Sequence, residues 1–281
     1  MTTEALALST APARRGGGCR QAIRDVAVLT ARNLVHLARE PLRLSDVTIQ
    51  PVLFTLLFVY VFGAGVTVPH GGYTEFAIAG LLAVNLTTSA IGTGVGLSAD
   101  LGSGVIDRFR TLPTWRPAVL VGRSLTDLLT ATLCASIVIL TGLVVGWRPD
   151  GSAGGALAAF GIFLLFSYAI SWGCACLGIV SRDAESAQGL GLVILFPLSF
   201  VSNAMVPTQH MPDVLRAIAD WNPVSAVTAA SRQLFRNPNP SAAIHAWPMQ
   251  HPVLASLLWS VALVAVFAPL ATLMYKRRTT D

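Results

Sequence analysis

The chain has 281 residues, a hydrophobic fraction of 53%, a charged fraction of 12% and a formal net charge of +5. Soluble domains carry about 25% charged residues, so this chain lacks the polar residues needed to cover a water-facing surface. Its mean hydropathy of +0.64 also excludes a disordered, collagenous or disulfide-rich secreted protein, leaving an all-α integral membrane protein that crosses the bilayer several times.

The first 46 residues are expected to hold no signal peptide, because the apolar run Ala5–Leu8 is too short and the arginines follow it rather than precede it. Residues 1–22 are expected to be a disordered cytoplasmic N-terminus, with one membrane domain over 23–281. Ile23–Ala38 reads as an amphipathic helix. At 100° per residue Ile23, Val26, Thr30, Leu34 and Leu37 share one face, and Arg20, Arg24, Arg32, Arg39 and Arg43 lie opposite. Pro41 stops it, since the residue before a proline avoids the α region. A basic amphipathic helix just ahead of a span is expected to lie in the cytoplasmic interface.

Six stretches between charged residues reach the roughly 20 residues that a membrane-crossing helix needs. They run from Asp46 to Glu75, Glu75 to Asp100, Asp127 to Arg148, Asp150 to Arg182, Glu185 to Asp213 and Arg236 to Lys276. The predicted spans are about 48–66, 77–98, 126–146, 156–179, 187–203 and 253–275. With this count, fifteen of the basic residues fall on the side of the N-terminus. Only Arg148, Arg216, Arg232 and Arg236 fall on the other side. The excess of Lys and Arg makes the N-terminal side cytoplasmic, and six spans return the C-terminus to it.

The loop after the second span mixes Asp107, Arg108 and Arg110 with Ile106, Phe109 and Leu112. Val105–Leu112 has room for two helical turns before Pro113. A plain connector has no reason to offer Phe and Ile to the cytosol, whereas a short helix that plugs into another protein does. Beyond the fifth span, Pro207, Pro212 and Pro223 separate two short amphipathic stretches. Asp213–Trp221 places Val214, Leu215, Ile218 and Trp221 on one face, and Val224–Phe235 places Val224, Val227 and Leu234 on another. Both are expected to dip into the outer leaflet. Gly92 and Gly96 form a small-xxx-small pair in the second span.

The chemistry expected of an enzyme is missing. There is no Gly-x-Ser-x-Gly elbow and no His-Glu-x-x-His pair. A phosphate-binding loop requires a lysine, and the single lysine is Lys276 in the C-terminal tail. Of the four cysteines, Cys134, Cys174 and Cys176 lie in apolar stretches, where a small soft side chain packs, and Cys19 lies near the N-terminus. No catalytic, cofactor or metal residue is therefore assigned. Asp127, at the edge of the third span, is the acid that adjoins a span. If the chain takes part in active transport, energy must enter through a second polypeptide, and Asp107–Leu112 is its natural contact.

Three groups of motifs then carry a resemblance. The first is Ala31-Arg-Asn-Leu34 and Arg39-Glu-Pro41, leading to Gln50-Pro-Val-Leu-Phe54 and Val61-Phe-Gly63. The second is Gly104-Val-Ile-Asp-Arg-Phe-Arg-Thr-Leu-Pro113 with Gly122-Arg-Ser-Leu-Thr-Asp127. The third is Phe196-Pro-Leu-Ser-Phe-Val-Ser-Asn-Ala-Met-Val-Pro207, continuing to Met211-Pro212 and Trp221-Asn-Pro-Val224. In this order, over roughly residues 30–275, the chain resembles the membrane subunits of type-2 ABC exporters, most of all the daunorubicin and antibiotic efflux permeases. One departure is Asp100-Leu-Gly-Ser-Gly104, which has no charged Glu-Lys type pair ahead of the docking helix.

The resemblance implies six spans per subunit and two such subunits around the pathway, as a homodimer or with a sister permease. Two copies of a separate ATPase subunit would bind the ATP and Mg that this chain does not bind. Ile106, Asp107, Arg108, Phe109, Arg110 and Leu112 would form the coupling helix, the N-terminal amphipathic helix the connecting helix, and the segment near Met205–Phe235 the re-entrant helices. The expected cargo is a hydrophobic or amphipathic drug leaving the cell, with a lipid, glycolipid or polysaccharide as the alternative. A second alternative is an ATPase-independent carrier or assembly factor. Phe54, Phe58, Asn85, Thr88, Phe196 and Asn203 are the residues expected along the pathway. The expected location is the inner or plasma membrane, in contact with lipid and not with nucleic acid, with both termini cytoplasmic.

Overall fold

The computed structural model describes residues 41–66, 68, 72–102, 118–240 and 244–278, together with scattered positions between 27 and 39. All described regular structure is helical. The α-helices are α1 (Pro41–Leu57), α2 (Tyr73–Ser89), α3 (Ile91–Gly102), α4 (Ala118–Val144), α5 (Ala153–Val180), α6 (Ala184–Phe200), α7 (Asp213–Trp221), α8 (Pro223–Phe235), α9 (Trp247–Gln250) and α10 (Pro252–Arg278). The predicted coupling residues Ile106 to Leu112 and the segment 1–26 lie outside the described residues.

Among the described residues, five helical runs are long and apolar enough to cross a membrane: Leu44–Phe62, Tyr73–Gly102, Val121–Val144, Ala153–Val180 and Pro252–Arg278. The predicted fifth span, 187–203, corresponds to the shorter apolar helix α6 of 17 residues. At 1.5 Å per residue α6 is about 26 Å long, less than a typical hydrocarbon core of about 30 Å. It starts where Asp183 accepts a 2.7 Å hydrogen bond from the Ser186 N–H, a carboxylate N-cap. It ends at Phe200, just after Pro197.

Many hydroxyls inside the apolar helices are satisfied locally. The hydroxyls of Thr55, Thr87, Thr126, Thr130, Thr132, Ser136 and Thr141 each donate to the carbonyl four residues earlier. This lets a hydroxyl sit in an apolar environment without a tertiary partner. The first run ends in a π-helical segment, Phe58–Phe62, where the Gly63 N–H donates to the Phe58 carbonyl. Phe54, Phe58 and Phe62 stack along it with ring centroids 5.0 and 4.6 Å apart.

The α2–α3 run is the central pillar. Its most apolar stretch is 83% buried within the chain, against 17% for α10. α2 packs on α4, α6 and α8, and α3 packs on α4, α5 and α6. Close approach of α3 to α5 depends on Gly94 and Gly178. A Cβ on Gly178 would fall 2.3 Å from the Gly94 carbonyl oxygen, and one on Gly94 would fall 2.6 Å from that of Cys174. The expected Gly92 and Gly96 pair does not make this contact. A Cβ on Gly92 would meet nothing within 4 Å, and Gly96 faces the Arg123 side chain. Gly94 lies two residues from each of them, about 160° around the helix, so the face that meets α5 is nearly opposite the expected one.

The described positions between 27 and 39 are helical. Thr30 is buried, its hydroxyl donating to the Gly122 carbonyl at 3.2 Å, while Val28, Val35 and Arg39 are exposed. The buried Thr30 lies on the predicted apolar face and the three exposed residues opposite it, so that face meets α4.

Candidate functional site

Two polar clusters stand out in an otherwise apolar bundle. The first ties α3 to α4 on either side of residues 103–117. Arg123 donates through Nη1 to Asp100 Oδ2 and through Nη2 to the Gly92 carbonyl, both at 3.1 Å. One turn further along α4, Asp127 Oδ2 accepts from the Thr93 hydroxyl at 2.7 Å. The acid that the sequence places at the edge of a span is thus paired across two helices.

The second cluster closes the other end around Arg232, which is 0% exposed. Its Nε and Nη2 donate to the Phe76 carbonyl at 3.1 and 3.0 Å. Nη1 reaches the Asn203 carbonyl at 3.0 Å, and Nη2 also reaches that of Ala204 at 2.9 Å. The guanidinium lies 3.6 Å over the Phe76 ring, adding a cation–π contact. The planar fork of donors suits this task in a way that a lysine would not. A second tie, Asn237 Nδ2 to the Glu75 carbonyl at 2.8 Å, fixes the end of α8 to the start of α2.

Asn222 joins the same cap. Its Nδ2 donates to the Leu198 and Val201 carbonyls, both at 2.7 Å, and its Oδ1 accepts from the Val224 N–H at 2.8 Å. One side chain therefore closes the C-terminus of α6 and caps the N-terminus of α8, where Pro223 occupies the first turn. The Asn203 N–H donates to Ser225 Oγ at 2.9 Å. At the far end of α8, the Trp147 ring meets Phe235 edge-on at 5.1 Å.

The sequence missed this cluster. Arg232 reads as a charge in an outer loop, and Val224–Phe235 as a helix with one apolar face. Instead Pro223 to Arg232 are all buried, packed by α2, α5 and α10. The available signal was the run Ser225, Ala226, Thr228, Ala229, Ala230 and Ser231. A helix with so few bulky side chains can be approached closely from every direction. On α7, Val214, Leu215, Ile218 and Trp221 are exposed on one apolar face.

Asp220, on the inner side of α7, accepts a 3.3 Å hydrogen bond from the Thr208 hydroxyl. Burial raises its pKa, opposed by the Thr208 bond and by Arg216. A carboxyl with a raised folded-state pKa loses its contribution to stability as pH rises from the ordinary carboxylate range through the raised value. Asp220→Asn keeps the acceptor and removes the charge. Its melting temperature in detergent should therefore exceed that of the wild type at pH 7, with the difference shrinking towards pH 4. A difference constant between pH 4 and pH 8 would contradict this assignment.

Residues 24–235 match the ABC-2 type transporter family. The chain belongs to that family. It is 34% identical over 259 residues to the daunorubicin resistance ABC transporter permease protein DrrB1 of Streptomyces coeruleorubidus, covering 90% of this chain and 88% of the relative. It is 22% identical over 284 residues to a probable doxorubicin resistance ABC transporter permease, DrrC of Mycobacterium tuberculosis, covering 100% and 99%. It is 25% identical over 173 residues to a probable multidrug ABC transporter permease, YbhR of Escherichia coli K12, covering 59% and 45%. These relatives are transport permeases, and this ABC-2 chain is a multi-pass membrane permease of the same kind.

The six residues expected along the ABC-2 pathway occupy four places. Phe54 and Phe58 neighbour each other on the first run, and Phe54 lines an open groove of about 410 Å³ with Asp46, Ile49, Gln50, Leu53 and Leu57. Asn85 and Thr88 lie on α2. The Asn85 Nδ2 donates to the Leu81 carbonyl at 2.9 Å, and the Thr88 hydroxyl to the Val84 carbonyl at 2.9 Å and the Asn85 carbonyl at 3.1 Å. Phe196 is exposed on α6, its ring 4.3 Å from that of Phe200. Asn203 is buried in the Arg232 cap, with its Nδ2 3.5 Å from Met249 Sδ. Cys134, Cys174 and Cys176 are buried free thiols, and Cys19 lies outside the described residues.

Proposed function

We propose that this chain is the membrane-spanning subunit of an ATP-driven exporter that moves a hydrophobic or amphipathic drug out of the cell. Two copies of a separate ATPase subunit supply the energy. The observation that carries this reading is the match over 90% of the chain to a daunorubicin resistance permease. The absence of any phosphate-binding loop from the sequence requires a second polypeptide for ATP. Residues 106–112 dock in the ATPase, and closure of the two ATPases on ATP tilts the spans as rigid bodies.

Two permeases face each other across the pathway, with α1 and α6 turned towards it. Both helices carry apolar side chains exposed on the single chain, among them Ile49, Leu53 and Leu57 on α1 and Val193, Ile194 and Phe196 on α6. α6 crosses the bilayer as the fifth of six spans, aided by the residues that follow it. α7 and α8 return from the outer surface into the outer leaflet, and both termini lie in the cytoplasm of a cell with this protein in its plasma membrane.

The test is purification of the tagged chain with its ATPase in mild detergent, followed by daunorubicin uptake into inverted vesicles. Hot-spot truncations cost about 2 kcal/mol or more, so Arg108→Glu with Phe109→Ala should weaken ATPase association by roughly thirtyfold or more. Uptake should stop while membrane insertion stays normal. Normal association and uptake in the double variant would overturn the docking assignment. Uptake of a labelled phospholipid in place of daunorubicin would reassign the cargo.

A further inference from the structure

The bonds between α3 and α4 are arranged as a ladder. Gly92, Gly96 and Asp100 succeed one another at four-residue spacing, so they form one stripe along α3. Helix carbonyls point towards the C-terminus and side chains lean towards the N-terminus. The Gly92 carbonyl and the Asp100 carboxylate therefore converge over Gly96, and the Arg123 guanidinium bridges them there. A Cβ on Gly96 would fall 1.5 Å from Nη2 and 2.3 Å from Cζ. Only glycine leaves room for the guanidinium to lie against the backbone. The side chains of Arg123 and Asp100 are 14% and 24% exposed. Thr93 and Asp127 form the next rung.

This ladder holds the two helices that flank residues 103–117. Withdrawing a charged pair this far from water costs free energy that well-packed apolar residues would not cost. A helix pair that only had to stay folded would gain nothing from it. Directional bonds do fix axial register, which apolar packing leaves free to slip. α3 also touches α5 through the Gly94 and Gly178 crossing and packs on α6. A displacement of α3 is therefore passed to both.

We infer that Arg123, Asp100 and Gly96 are positioning residues that lock α3 and α4 into one lever, so that displacement of residues 103–117 reaches the spans instead of being absorbed by sliding between the two helices. The inference rests on the proposed function, in which those residues receive the push of the ATPase.

The test uses the complete complex in proteoliposomes, with daunorubicin transport and ATP hydrolysis measured in the same vesicles. Gly96→Ala displaces Arg123 without changing any charge. Arg123→Gln, Asp100→Asn and their double variant remove the pair. All four should assemble with the ATPase and hydrolyse ATP. Daunorubicin moved per ATP should fall by about fivefold or more, the lower end of typical coupling free energies. The double variant should fall no further than either single one, because the same bond is lost. A purely structural role predicts a lower melting temperature for Gly96→Ala, whose Cβ would collide with Arg123, with the daunorubicin-to-ATP ratio unchanged.

An unchanged ratio in Gly96→Ala, or single effects that multiply in the double variant, would overturn the lever. Should the charge variants fail to insert, spin labels at Gly102 and Val121 in a cysteine-free chain decide it. A distance distribution that broadens in Gly96→Ala supports the lever, and one that stays narrow sinks it. A wild-type chain that neither binds an ATPase nor transports would instead remove the proposed function.

Discussion

Replacing Arg232 by alanine is expected to give the largest loss of stability of any single substitution outside the ladder. The carbonyls of Asn203 and Ala204 lie in an irregular turn and lose the donor that reaches them. At about 1–3 kcal/mol per buried polar group left unpaired, the two together cost about 2–6 kcal/mol. The Phe76 ring loses its cation as well. Arg232→Met refills most of the volume but restores no donor, so it should remain close to alanine. Arg232→Lys keeps the charge as a point rather than a fork and should fall between alanine and the wild type. Thermal unfolding in detergent and protease cleavage near residues 201–246 both report on this cap. A methionine variant that melts like the wild type would show that packing, not hydrogen bonding, holds the cap together.

Gly178→Val is the second large effect. The added Cβ would meet the Gly94 carbonyl oxygen at 2.3 Å and the Gly94 Cα at 2.8 Å, so backbone would press on backbone and no side chain could turn aside. Overpacking typically costs about 1–3 kcal/mol and occasionally more. This site belongs at the upper end, because α3 and α5 must part along their length. Gly178→Ala should also destabilise, against the usual gain of about 1 kcal/mol for alanine over glycine in a helix. Gly92→Ala is the control. Its Cβ would meet nothing within 4 Å, so its melting temperature should hold or rise. If Gly178→Ala and Gly92→Ala behave alike, the close crossing is not what holds α3 to α5.

Five of the six apolar stretches between charges coincide with helical runs long enough to cross a membrane, because a bilayer core demands a minimum run of apolar residues whatever the fold around it, and the remaining one, 187–203, falls on the shorter α6. α10, expected at 253–275, runs Pro252–Arg278, and α5, expected at 156–179, runs Ala153–Val180. The pair of short helices α7 and α8 was also legible, since Pro207, Pro212 and Pro223 punctuate the chain before any packing is considered. Other features could not be read that way. Val224, Val227 and Leu234 suggested one apolar face on α8, yet every residue from Pro223 to Arg232 is buried, because enclosure depends on three neighbouring helices elsewhere in the chain. Arg232 looked like a topogenic charge for the same reason. Its partners Phe76, Asn203 and Ala204 are distant in the chain, and its hydrogen bonds all go to their backbone carbonyls, which carry no residue-type signal.

Composition, charge distribution and motif order by themselves determined that this is a helical membrane permease of the ABC-2 type without a nucleotide loop of its own. Each of those properties depends on which residues are present and in what order along the chain. Which glycines touch, which arginine is enclosed and which acid is paired were decided only by tertiary structure. Gly94 faces Gly178 and Arg123 lies over Gly96 because two helices adopt one rotation and one axial register. That choice is made by the summed packing of neighbours, which no local stretch of sequence contains.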